Sequence, residues 1–143
     1  MDDRFDLARF VAAQTAGGTY ERALSELRQG RKRSHWMWFV FPQLAGLGRS
    51  SMAQRYAISS LQEAQAYLAH DILGPRLLQC STTVATSPAR SAEEIFGSVD
   101  AVKLRSSMTL FSTAVPDGQV FDQVIERYFD GARDPVTLQL LHA

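Results

Sequence analysis

A chain of 143 residues, 45% hydrophobic and 21% charged, has the size and balance of one globular domain spanning residues 1–143. Disorder, collagen and coiled coil are excluded on that composition. The longest strongly apolar run, Trp36 to Phe41, is too short to span a bilayer, and Met1, Asp2, Asp3 and Arg4 form no apolar leader. A single cysteine, Cys80, forbids an internal disulfide and a multi-cysteine metal site, so the expectation is a soluble, cytoplasmic protein without metal or other cofactor.

Helical periodicity dominates in chain order. Leu7, Phe10 and Val11 predict a first helix stopped at Gly17 and Gly18. Thr19 is the expected cap of a second helix, with Tyr20, Ala23, Leu24 and Leu27 inward and Gly30 past its end. Ser50 or Ser51 can cap a short helix that carries Met52 and Tyr56. Ser60 with Glu63 forms a capping-box pattern for the next. Leu73, Leu77, Cys80 and Val84 predict another helix, with Pro75 tolerated in its first turn. Ser91 with Glu94 opens a short helix ending at Gly97. A further helix starts at Ser98, with Val102, Leu104, Met108 and Phe111 inward. Val120, Phe121, Val124, Ile125, Tyr128 and Phe129 follow after a Pro116-Asp117-Gly118 turn. Asp134 and Pro135 start the last helix. The predicted class is all-α, one compact domain of about eight short helices, with any strand confined to residues 36–41.

Charge is zero overall but unevenly spread. Residues 27–62 hold six cations (Arg28, Arg31, Lys32, Arg33, Arg49 and Arg55) and no acid, which leaves the remainder nine basic against fifteen acidic side chains. A cationic stretch favours an anionic partner. A pI of about 6.8 argues against a duplex nucleic-acid surface, so a small phosphorylated molecule fits better. Thirteen of the fifteen cations are Arg, which singles out Lys32 and Lys103. The signatures of P-loops, dinucleotide folds, zinc hydrolases and serine hydrolases are absent.

Two segments concentrate polar and aromatic chemistry. The first runs from Ser34 to Gln43 and holds both tryptophans, Trp36 and Trp38. Its apolar stretch has neither helical nor alternating period, which predicts either a buried plug or a wall for stacking a planar ring. His35 stands between three cations and the tryptophans. The second runs from Asp100 to Thr109, where helical spacing puts Asp100, Lys103 and Ser107 on one face.

The string from Ser34 through Gln43 to Leu44, followed by Gly46, Leu47, Gly48, Arg49 and Ser50, resembles the signature of a bacterial family of mainly helical domains of unknown function. That resemblance runs nearly end to end and implies an all-α fold, with no activity attached. A fainter likeness, in size, helical content and order of polar residues, is to the NADAR group of helical N-glycosidases. It carries over no catalytic residue and suggests only a reaction class, N-glycosidic hydrolysis.

On these readings Lys32, Arg33 and Arg49 would hold phosphate, and Trp36 or Trp38 would stack on the ring. Gln43, Lys103 and Ser107 would complete the pocket. Were the bond cleaved, Asp100 would stabilise the cationic centre or activate water, and His35 would serve as acid or base. The competing reading is a non-catalytic interaction module whose aromatic segment is structural core.

Overall fold

A computed structural model describes residues 3–142; Met1 and Asp2, part of the stretch expected to form no apolar leader, lie outside them. Among the described residues nine α-helices follow one another: α1 (Ala8–Thr15), α2 (Thr19–Arg28), α3 (Met37–Val40), α4 (Ser51–Arg55), α5 (Leu61–Ala69), α6 (Leu73–Ala85), α7 (Ala92–Ala114), α8 (Gln119–Phe129) and α9 (Pro135–Leu141). Among the described residues there is no strand; one isolated parallel bridge joins Leu44 to Ile58. The class read from periodicity is the observed one.

Local chemistry explains where the helices start and stop. The Ser50, Ser60 and Ser91 hydroxyls accept from the backbone N–H groups of Ala53, Glu63 and Glu94, and the Asp134 carboxylate accepts from Thr137 ahead of Pro135 at N1. Both predicted capping boxes are modified in the same way. The Glu63 and Glu94 carboxylates reach back past the cap residue, to the N–H groups of Ser59 and Arg90. Thr19 does not cap α2. It is the first helical residue and donates its hydroxyl to the Ala16 carbonyl, while Gly18 supplies the cap position.

The second half of α7 is the central post, buried without a break from Ser106 to Ser112 and packed by α5, α8 and α9. Phe10, Tyr67, its own Phe111 and Phe121 form a chain of tilted and edge-on aromatic pairs there, and Trp36 and Phe41 form a second group with Phe96. Val102, expected inward, is 64% exposed, and Ala101 takes the inner position instead. No described helix is long and apolar enough to cross a membrane.

Cys80 is fully buried on α6, and burial pushes its thiol up to about 12. The native protein will therefore resist a thiol-directed disulfide reagent at mildly alkaline pH and react only once denatured. Rapid labelling of the folded chain would contradict this placement.

Candidate functional site

A helix end and a helix kink build the site. The α2 helix closes in a Schellman turn: Gly30, at φ 76°, donates to the Leu27 carbonyl, and Arg31 donates to the Glu26 carbonyl. The turn sends the chain toward α7, where the Lys32 N–H donates to the Ile95 carbonyl at 2.7 Å. At Gly97 (φ 79°, ψ 166°) α7 breaks into two segments, 92–96 and 98–114, a backbone conformation essentially confined to glycine. Asp100 thus falls in the first turn of the second segment, where the helix dipole favours a carboxylate.

These two devices bring the remote polar segments together. The Lys32 ammonium lies 2.9 Å from one Asp100 oxygen, and the Lys103 ammonium lies 3.5 Å from the other. Lys32 also donates to the Ser34 carbonyl at 2.6 Å and sits 5.1 Å from the Trp36 ring centre. Lys103 sits 5.6 Å from the Trp38 ring. Their side chains differ in access, at 9% exposed for Lys32, 19% for Asp100 and 27% for Lys103. Lys32 is accordingly a buried strut that orients Asp100, and Lys103 is the more open cation. Two ammonium groups thus share one carboxylate.

Beneath this cluster lies Glu26, a buried carboxylate that sequence reasoning passed over. It accepts from the Arg33 and Ser34 N–H groups (2.7 and 2.9 Å), the Ser34 hydroxyl (2.6 Å) and the Trp36 indole (3.0 Å). Burial pushes its carboxyl up, but the bonds from Ser34, Arg33 and Trp36 outweigh that and hold it down at about 2. Glu26 thereby fixes the backbone that carries Lys32 and Trp36. Its one signal in the sequence is an acid on the flank of the α2 apolar stripe, with nothing local to name its partners.

The remaining candidates sort differently. Trp36 is 0% exposed, so it has no open face for a ligand and belongs to the core with Met37, Phe39, Val40 and Phe41. Only Trp38 of the two is partly open. Ser107 is fully buried and unpartnered, out of a ligand's reach. Its neighbours Ser106 and Thr109 bond the side chain and backbone N–H of Asp134, so this hydroxyl-rich stretch docks the start of α9. His35 and Arg33 are exposed on the loop, and among the described residues no hydrogen bond joins His35 to Asp100. Arg49 is exposed ahead of α4. Gln43 lines a small pocket with Gly46, Gly48 and Ala53, away from the lysines in its contacts. Among the described residues no three His, Cys, Asp or Glu side chains are grouped to hold a metal ion.

The fold and site define a small all-α domain in which a buried aromatic segment is tied to a kinked central helix by a Lys–Asp–Lys cluster. Residues 4–141 match the family model described as "Protein of unknown function (DUF1810)", and the chain belongs to that family. The crystal structure of the conserved hypothetical protein Rv1873 from Mycobacterium tuberculosis is similar, with 55% identity and a TM-score of 0.95 over 99% of each chain. No curated protein matches.

Proposed function

We propose that this protein binds a small phosphorylated, ring-bearing molecule at the Lys32–Asp100–Lys103 cluster, with Lys103 on the phosphate and Trp38 beside the ring. The observation that carries the reading is the sharing of one carboxylate by two lysines from remote segments, next to a partly open tryptophan. An anion approaching Lys103 meets a cation whose charge is only partly balanced, since Asp100 is pulled closer to Lys32. Lys32 and Glu26 act as positioning residues in this reading. No bond-breaking step is assigned to His35 or Asp100, because among the described residues no hydrogen bond joins them.

A panel of nucleoside mono- and diphosphates tests it by thermal shift and tryptophan fluorescence. Saturating ligand, at a hundredfold excess over Kd, stabilises the native state by about 2.7 kcal/mol, and each kcal/mol raises the melting temperature by roughly 2–4 °C. Lys103→Ala will abolish the shift while the protein stays folded, and Trp38→Phe will abolish the quench. A panel that moves neither signal overturns ligand binding and leaves the interaction-module reading, which the burial of Trp36, Met37, Phe39, Val40 and Phe41 favours.

A further inference from the structure

A second group of cations lies outside the lysine cluster and shares no residue with it. An open pocket of about 600 Å³ is lined by three arginines, Arg4, Arg9 and Arg55, and by two carboxylates, Asp6 and Glu63. The arginines are not equivalent. Arg9 spends its donors within the protein: on the Phe5, Asp6, Arg55 and Ala57 carbonyls and on Glu63, 3.0 Å away. Glu63 is buried and also accepts from the Ser59 N–H and hydroxyl, so Arg9 and Glu63 neutralise each other. By bonding carbonyls on both sides, Arg9 staples the 5–6 turn to the 55–57 segment and fixes the distance between the backbones that carry Arg4 and Arg55.

Arg4 and Arg55 are held differently. Each guanidinium lies over the ring of the next residue, Arg4 at 5.5 Å from the Phe5 centre and Arg55 at 5.3 Å from the Tyr56 centre. Among the described residues neither forms an ion pair or donates a side-chain hydrogen bond. Among the described residues, Asp6 is the one acid of the pocket left to oppose them, so a positive charge remains there. Guanidinium forks match the oxygens of a tetrahedral oxyanion in pairs, and a stapled frame lowers the ordering cost of closing two forks on one anion.

We infer that Arg4 and Arg55 form a phosphate-binding clamp over the Arg9–Glu63 pair, a site distinct from the lysine cluster. The full chain, titrated with inorganic phosphate at constant ionic strength, will show saturable shifts of the Arg4 and Arg55 side-chain N–H resonances in heteronuclear NMR. Chloride at equal ionic strength will not produce them. Arg55→Gln will weaken phosphate binding about tenfold, as expected for the loss of one charge-assisted contact. Arg4→Gln will do the same, and both variants keep Arg9 and Glu63 intact. The inference is overturned by shifts that never saturate, by equal shifts in chloride, or by unchanged affinity in both variants. Because these resonances report their own pocket, the outcome is separate from that of the nucleotide panel, which is read at Lys103 and Trp38.

Discussion

Glu26→Gln will destabilise the protein by about 3 kcal/mol at neutral pH, equivalent to a fall in melting temperature of roughly 10 °C. Four donors converge on the parent carboxylate: two backbone N–H groups, a hydroxyl and the Trp36 indole. An amide keeps one oxygen for the Arg33, Ser34 and Trp36 N–H groups and turns an NH2 toward the Ser34 hydroxyl, which must reverse to accept, so all the bonds lose the assistance of the charge. The effect will depend on pH with a defined sign. The folded carboxyl sits at about 2 and the ordinary value is 4.5, so the folded-state value is depressed. A group of that kind contributes stability that is fully present above 4.5 and is lost as pH falls toward 2. The gap between parent and variant will therefore narrow as the solution is acidified through that window, since the protonated parent resembles the amide. Denaturant melts of both proteins across the window provide the measurement. A constant gap would mean that Glu26 acts through shape and not through charge.

The two tryptophans will separate in the same kind of experiment. Trp36→Ala removes a fully buried side chain packed on Phe41 and Phe96, and will cost about 3–5 kcal/mol. Trp38 is only partly buried at the edge of the core, so Trp38→Ala will cost about 1–2 kcal/mol. Paired with Glu26→Gln, Trp36→Phe will prove non-additive by about 1 kcal/mol, because one change removes the donor and the other the charge of the acceptor in the same hydrogen bond. Equal costs for the two tryptophans, read from denaturant midpoints, would contradict the division into one core ring and one rim ring.

Much of the helical plan was legible because its signals are local. A cap acts within three or four residues, so Ser50, Ser60, Ser91 and Asp134 could be recognised from their immediate successors. Gly30 and Gly97 were readable as stops for a similar reason, since each marks a backbone conformation that a side chain would strain. Where the local signal was degenerate the reading slipped. Thr19 and Gly18 are both acceptable caps, and the backbone chose Gly18 in a left-handed conformation. Val102 and Ala101 are neighbours on the helix, and which of them faces inward depends on how α7 leaves its kink.

The amino-acid sequence by itself determined the helical class and most of the punctuation of the helices, and it left the 36–41 segment open between a buried plug and a stacking wall. It also marked Lys32, Asp100, Lys103 and Trp38 as residues worth joining. Only the tertiary structure decided that they do join, because Lys32 and Asp100 meet through the exit angle of the α2 turn and the break at Gly97, a geometry no local pattern encodes. Only packing separated Trp36 from Trp38, and placed Ser107 in the interior instead of on a site wall. Glu26 is the strongest case. A carboxylate on the edge of a helical stripe reads as solvated surface, and it becomes the anchor of the aromatic segment when folding closes water off and leaves four protein donors in its place.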